Sequence, residues 1–397
     1  MTLIAERVAK APVRQKTRGA KMKVLFILSS SNQMYSGVGR NVFEPAIRLR
    51  EEIDYEFAID DATERNTRIV EDFCAKNDFP LHLGLGIHVP NTLDILHEGA
   101  ADLVKRGGWD AIECVCWANA ATNGAVLEAL EGRDVPLIYT PHYQPIWTVP
   151  MSDRDAENVS RVHLEMLRRA SVVFCDSPWE FHELKSQAPE QLHCEYLPVG
   201  CDFAGYRPGG LERSPQYLFI GDLREPRKRF DRVLAAFELV LRARPDARLI
   251  VAGNKSETIA HELPSGLRSH IELKGYVSES ELRKLYAESA GLLLLSDYEA
   301  FGVPILESLA CATPVFTTDQ PTVRSVFESF RGAHFCPGDD ADATAALILL
   351  HLGRGRATYA EALNDRPRLE SLFDWESLAV RKRQAMSAAW FLKRGWK

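Results

Sequence analysis

Leu292-Leu-Leu-Leu-Ser-Asp-Tyr-Glu-Ala-Phe-Gly-Val-Pro-Ile-Leu-Glu307 decides the fold. Four consecutive leucines read as a strand buried on both faces, as in a parallel sheet covered by helices. Pro304 suits the first turn of a helix, where its missing N–H is no loss. Gly302, just before it, permits close backbone approach to a ligand. Strand, short loop and helix form the repeating unit of an open parallel sheet, whose ligands sit beyond the carboxyl ends of its strands. Glu299 falls in that loop and Glu307 about one turn into the helix. A carboxylate there can accept from two neighbouring sugar hydroxyls. The plainer account is that both acids only favour the helix start electrostatically.

The same unit recurs in both directions. Downstream of residue 215 the expected strands are Tyr217–Ile220, Leu249–Ala252, Ile271–Leu273, Leu292–Leu295 and Pro314–Thr317. Helices are expected over Phe230–Leu241, Glu281–Ser289 and from Val303, with Ser278 and Glu281 as a capping box. Upstream, strands are expected at Val24–Leu28, Tyr55–Ile59, Ala111–Cys116, Pro136–Tyr139, Val172–Cys175 and Cys194–Leu197. The helices between them are Asn41–Arg50, Thr67–Ala75, Thr92–Lys105, Asn123–Leu130, Arg154–Arg169 and Trp179–Ser186. Asp202–Pro215 is rich in glycine and proline and reads as a linker. The fold class is therefore α/β, with two doubly wound domains in tandem. Residues 1–21 form a basic tail, 22–200 the first domain, 201–215 the linker, 216–372 the second domain and 373–397 a final helical segment.

Composition narrows the function. The 397 residues are 46% hydrophobic and 26% charged, enough for two cores. A net charge of −7 argues against a nucleic-acid binder. The eight cysteines mostly sit in apolar runs, as reduced thiols of a cytoplasmic protein do. Cys114 and Cys116 are expected on one face of a strand, but no further ligands stand at metal spacing. No apolar run approaches the roughly 20 residues of a membrane span. The Arg381-Lys-Arg383 cluster and the Trp390–Lys397 tail suit either a peripheral membrane contact or a packed helix end with snorkelling cations.

A second charged loop follows the strand at Tyr217–Ile220. In Gly221-Asp-Leu-Arg-Glu-Pro-Arg-Lys-Arg-Phe230, the cations Arg224, Arg227, Lys228 and Arg229 crowd a helix N-terminus. Cations there oppose the helix dipole by some tenths of a kcal/mol each. A bound diphosphate would reverse the sign by pairing with them and accepting free backbone N–H groups. Solvated charge on a surface loop is the alternative. His142, between Pro141 and Pro145 at a strand's carboxyl end, is a candidate cleft residue or a half-buried structural one.

Glu299 to Glu307 resembles the Glu-x7-Glu motif of the retaining glycosyltransferases of GT-B fold, family four, also called glycosyl transferases group 1. Further segments resemble that family in the same order: Ser36-Gly-Val-Gly-Arg-Asn41, Pro141-His142, Leu197-Pro-Val-Gly-Cys-Asp202, Leu273-Lys-Gly-Tyr-Val277, Ala310-Cys-Ala-Thr-Pro-Val315 and Phe373-Asp-Trp-Glu376. Each is weak alone; in order they are specific. The resemblance covers residues 22–390 and is tighter in the second half. It implies two Rossmann-like domains facing across a cleft, with a C-terminal helix crossing back to the first.

The resemblance also implies roles. Glu307 would bind the ribose of a nucleotide. Glu299, with the backbone of Phe301, Gly302 and Val303, would hold donor sugar and phosphate. Lys228 would neutralise the diphosphate, and Tyr276 and Val277 would lie near the base. His142 would reach the donor sugar, and Gly37 would let the first loop approach the phosphates. His142, Glu299 and Lys228 are the implied catalytic residues. Asp222 stands where the family has arginine, so Arg224 or Arg227 is expected to substitute.

The implied reaction is transfer of a hexose-type sugar from a nucleotide diphosphate to a saccharide, lipid or small-molecule acceptor. Configuration would be retained, with no cofactor and no metal, and family frequency favours UDP over GDP. A phosphorylase, an epimerase of the same fold or a non-catalytic ligand sensor are the competing readings.

Overall fold

The computed structural model describes residues 21–28, 37–59, 64–83, 87–88, 95–96, 98–117, 120–143, 151–187, 192–223, 225–253 and 256–393. The first part of the chain gives β1 (Met22–Leu28), α1 (Gly37–Leu49), β2 (Ile53–Ile59), α2 (Glu64–Lys76), β3 (Leu81–His82), β4 (Ile87–His88), β5 (Ile95–Leu96), α3 (Glu98–Arg106), β6 (Ala111–Val115) and α4 (Ala120–Ala129). Then come β7 (Leu137–Thr140), α5 (Asp153–Arg169), β8 (Val172–Cys175), α6 (Pro178–Gln187) and β9 (Cys194–Tyr196). Seven of these strands form one parallel sheet in the order β3-β2-β1-β6-β7-β8-β9.

The second part gives β10 (Gln216–Ile220), α7 (Phe230–Ala243), β11 (Arg248–Ala252), β12 (Ile271–Gly275), α8 (Glu279–Glu288), β13 (Gly291–Leu294), α9 (Val303–Ala310), β14 (Val315–Thr318), α10 (Pro321–Phe327) and β15 (Ala333–Cys336). Helices α11 (Ala341–Arg354), α12 (Arg356–Phe373) and α13 (Trp375–Lys393) close the chain. The second sheet is parallel throughout, in the order β12-β11-β10-β13-β14-β15. Strand order reverses between β1 and β6 in one sheet and between β10 and β13 in the other. Those are the crevices where doubly wound sheets take ligands.

The apolar runs become strands because both sheet faces are covered: Val24, Leu25 and Phe26, and likewise Leu292, Leu293 and Leu294, are fully buried. Helix starts follow local chemistry. Ser152 caps α5 by accepting from Asp155 N–H at 3.2 Å, and Asp340 caps α11 through Ala343 N–H at 2.8 Å. Ser278 caps α8 through Glu281 N–H at 3.2 Å, but Glu281 turns its carboxylate to Lys274 at 3.1 Å, so the box forms in one direction only.

Two other expectations are corrected. The helix expected over Thr92–Lys105 begins only at Glu98, because Ile95–Leu96 pairs antiparallel with Ile87–His88. Cys116 does not share a strand face with Cys114: β6 ends at Val115, and Cys116 turns away with φ of 70°. Asp202–Pro215 does run between the two sheets as a linker, and it is packed in place. Phe203 and Tyr206 are buried, and Arg366 donates to the carbonyls of Phe203 at 2.6 Å and Tyr206 at 2.8 Å. The basic tail lies, but for Lys21, outside the described residues.

The chain passes twice between the sheets, and the two passages touch. Cys201 pairs with Asp374 as an isolated bridge, and Cys201 N–H donates to Phe373 O at 2.8 Å. Trp375 packs against Gly200, where any side chain would collide with its ring. Helix α13 then lies on the first sheet. Lys382 enters that core, its Nζ 2.7 Å from Glu113 on β6 and over the rings of Phe26 and Phe174. Glu113 is wholly buried; burial pushes its carboxyl up despite the Lys382 cation. Arg381 donates to Tyr196 O, and Arg383 pairs with Glu52 at 2.6 Å. The whole cluster read as a candidate membrane contact is thus engaged within the protein. Trp390 is buried, with Nε1 3.2 Å from Asp110. The end of the tail, 394–397, lies outside the described residues. No helix among the described residues is long and apolar enough to cross a membrane.

Candidate active site

Lys228 follows β10 and Glu299 follows β13, so both stand at the carboxyl-end crevice of the second sheet. Pro226–Lys228 is a single 3-10 turn, and it tucks Lys228 inward until the residue is 8% exposed. Its Nζ lies 2.7 Å from Glu299 Oε1, which also accepts from Ser296 Oγ at 2.7 Å. Arg227 stands 3.6 Å from the other oxygen and donates to Tyr298 O at 2.9 Å. Burial alone would raise the Glu299 carboxyl. Lys228 and Arg227, with the hydrogen bonds from Lys228 and Ser296, outweigh it and hold the group below the ordinary glutamate range. Arg229 turns the other way, to Asp231 at 2.9 Å and Asp297 at 3.1 Å. Arg224 lies outside the described residues.

The backbone around Glu299 is pinned. Its N–H donates to Gln320 Oε1 at 2.7 Å, and its carbonyl accepts from Thr322 Oγ1 at 2.7 Å. Gly302, at φ 90°, then turns the chain into α9, with Pro304 in the first turn. A side chain at Gly302 would meet Ile305 as well as strain that φ. Pro304 has no N–H and Ile305 N–H already donates to Gly302 O at 2.9 Å, so what the start of α9 offers an anion is the positive end of the helix dipole and the N–H of Val303. Phe301 is buried, its ring 5.9 Å from that of Phe373. Val303 is partly buried.

Glu307 is buried on α9 and fully engaged. Tyr206 donates to Oε1 at 2.7 Å and Tyr286 to Oε2 at 3.0 Å. Arg40, on α1 of the first sheet, reaches across to the same Oε1 and pairs with Glu279 at 3.3 Å. Burial opposes the Arg40 charge, but Glu307, Tyr206 and Glu279 raise its affinity for the proton. Arg40, Tyr206 and Tyr286 did not stand out in the sequence. Gly37 opens α1, three residues before Arg40. Tyr276 and Val277 follow edge strand β12; Tyr276 is 66% exposed and Val277 partly buried.

On the facing side, His142 follows β7 and Asp176 follows β8. His142 is 5% exposed, with φ of 47°. That left-handed backbone costs about 1–3 kcal/mol unless its surroundings enforce it. The surroundings do. His142 Nδ1 bonds Asp176 Oδ2, while Asp176 Oδ1 accepts from Asn41 Nδ2 at 3.0 Å. Buried Glu180 ties the two loops by accepting from Asp176 N–H at 2.6 Å and Tyr143 N–H at 2.7 Å. Burial and the Asp176 charge raise the Glu180 carboxyl well above its usual range. Next door, Tyr298 donates to Tyr143 O at 3.0 Å, joining the His142 loop to the Glu299 loop.

The structure thus brings His142, Lys228, Arg227, Glu299, Gly302 and Glu307 to facing strand ends. An open hollow of about 580 Å³ lies instead at the opposite end of the first sheet, lined by Leu127, Arg133 and Arg169 among others. It holds none of these residues. Among the described residues no group of three His, Cys, Asp or Glu side chains could hold a metal ion.

Residues 207–362 match the family model described as glycosyl transferases group 1. Over that stretch the chain is similar to the group 1 glycosyltransferases, and its two parallel sheets with flanking helices form a GT-B fold. It is 25% identical over 263 residues to a phosphatidyl-myo-inositol mannosyltransferase of Mycolicibacterium smegmatis, covering 64% of this chain and 65% of that one. It is 22% identical to the mannosylfructose-phosphate synthase of Agrobacterium fabrum over 80% of this chain and 77% of that one. The chain therefore spans just under two thirds of the length of the first of these relatives. In fold the chain is similar to an Anabaena protein, HepE, crystallised with UDP and glucose, with a TM-score of 0.73, 17% identity and coverage of 92% and 100%. It is equally similar to a sucrose-phosphate synthase of Thermosynechococcus elongatus, with a TM-score of 0.74, 17% identity and coverage of 93% and 99%.

Proposed function

We propose that this chain transfers a hexose-type sugar from a nucleotide diphosphate, UDP in the first instance, with retention of configuration and without a metal. The observation that carries the reading is the convergence of Lys228, Arg227, Glu299, Glu307 and the start of α9 on one crevice, within the stretch that matches the family.

A diphosphate placed before α9 meets the helix N-terminus, Lys228 and Arg227, which together stabilise the charge that develops as it leaves. Glu299 holds Lys228 in place and offers oxygens to the sugar. Glu307 accepts from the ribose hydroxyls once Arg40 gives way. In the transfer itself, the bond from the sugar C1 to the β-phosphate oxygen breaks and a bond to the acceptor oxygen forms on the same face. The departing phosphate takes the acceptor's proton. Closure of the first sheet's loops excludes water. The acceptor is a saccharide, a lipid or a small molecule. The N-terminal loops would select it, and the mannosyltransferase named above keeps a lipid-linked acceptor at the membrane surface in view.

Calorimetric titration with UDP and GDP, without metal, tests the reading. Micromolar binding of one is expected. Absence of binding to either by the folded protein overturns the nucleotide donor, and an inverted product anomer overturns retention.

A further inference from the structure

His142 Nε2 is buried and has no hydrogen-bond partner among the described residues, although the ring's other nitrogen is held by a carboxylate. A buried nitrogen without a partner is costly unless a ligand completes it. We propose that Asp176 is a positioning residue that fixes His142 as the Nδ1–H tautomer and so presents Nε2 as a bare acceptor to a hydroxyl of the donor sugar. This rests on the sugar-transfer reading.

The geometry fixes the direction of every proton in the chain. Asn41 Nδ2 can only donate, and Asp176 Oδ1 accepts from it. Asp176 Oδ2 is then the acceptor that faces His142, so the proton between them belongs to Nδ1. The tautomer of a histidine is set by the bond its other nitrogen makes. Ring rotation is barred by burial, by the left-handed backbone at His142 and by Glu180, which holds the backbone of both loops. Asn41 lies on α1, one residue from Arg40, so the helix that touches Glu307 also orients Asp176.

The isosteric change Asp176→Asn tests this without altering shape. Two amides can now pair in either sense: with the NH2 of position 176 toward His142, Nδ1 must accept and the proton moves to Nε2; with both amides flipped, Nδ1–H persists. The carboxylate's demand for Nδ1–H is thereby lifted, and Nε2–H becomes populated. The double variant N41D/D176N reverses the polarity: the amide now at position 176 donates to the carboxylate now at position 41, and its oxygen accepts again from Nδ1–H. The measurement is the 15N signature of His142 at pH 8, in protein labelled at histidine, with turnover of UDP-glucose as the second readout.

The expected result is Nδ1–H in the wild type, a substantial Nε2–H population in D176N and Nδ1–H again in the double variant, where the carboxylate at position 41 can only accept. kcat for UDP-glucose should fall about a hundredfold in D176N with KM within about threefold, and recover in part in the double variant. An Nε2–H wild type, or a tautomer indifferent to D176N, overturns the assignment of Asp176. A wild type that turns over no nucleotide sugar overturns the sugar-transfer reading instead, while the tautomer still decides the role of Asp176.

Discussion

The two sides of the cleft are built on opposite plans. On the second sheet both site carboxylates already hold partners on each oxygen: Glu299 has Lys228, Ser296 and Arg227, and Glu307 has Tyr206, Tyr286 and Arg40. On the first sheet the histidine is held at one nitrogen and has no partner at the other among the described residues. A ligand therefore completes one side and competes with the other. In the proposed reaction, part of the donor's binding energy would go into displacing partners already in place, which would tie affinity to rearrangement between the sheets.

The contrast can be broken most severely at Lys228. Lys228→Ala leaves Glu299 buried beside Arg227 alone. It should lower stability by about 3 kcal/mol and nucleotide-sugar turnover at least about a thousandfold. Adding Glu299→Gln should restore the melting temperature but not turnover; recovery of both would mean the pair is only structural.

Next comes Glu307→Gln, expected to weaken UDP about tenfold or more while leaving inorganic pyrophosphate unaffected, because only the ribose contact is lost. Equal loss for both ligands would place Glu307 on the phosphates.

Arg40→Met should act in the opposite direction. Removing the competitor for Glu307 should tighten uridine, which has no phosphates, by about threefold in a calorimetric titration. Weaker uridine binding would show that Arg40 supports the ribose site rather than occupying it.

The smallest effect is one of pH. Burial, with His351 and Arg354 nearby, pushes His334 down to about 3, and burial pushes His163 to about 4. Both sit below the free value of about 6.5. The unfolded chain therefore takes up protons first, and the stability each contributes is complete above about pH 6.5 and lost as pH falls toward those values. His334→Phe should narrow the gap between melting temperatures at pH 7.5 and pH 5 by a few degrees; an unchanged gap would assign the acid sensitivity elsewhere.

The comparison also explains what the sequence disclosed. Leu292–Glu307 is legible because strand, glycine turn, proline and helix are all local signals. Five of the second sheet's six strands fall within a residue or two of their expected places for that reason. Tyr206, by contrast, meets Glu307 across 101 residues, and Arg40 meets it across 267. No local period marks such pairs. A lone tyrosine inside a glycine- and proline-rich run was a usable signal, and it was read as linker instead. Asp176 stood at a strand's carboxyl end just as His142 did, so the rule that singled out one applied equally to the other. Strand β15 and helices α10, α11 and α12 went unassigned because Ala333–Cys336 is short and the helices carry apolar residues on several faces.

The buried Lys382–Glu113 pair bears on how the molecule is made. Glu113 sits in the middle of the first sheet, and its counter-charge lies near the far end of the chain. During synthesis that acid lacks its cation until residue 382 has left the ribosome, and a buried carboxyl without a partner takes up a proton instead. An N-terminal sheet that forms early therefore carries Glu113 as the neutral acid, and the charged pair is the last contact the first sheet acquires.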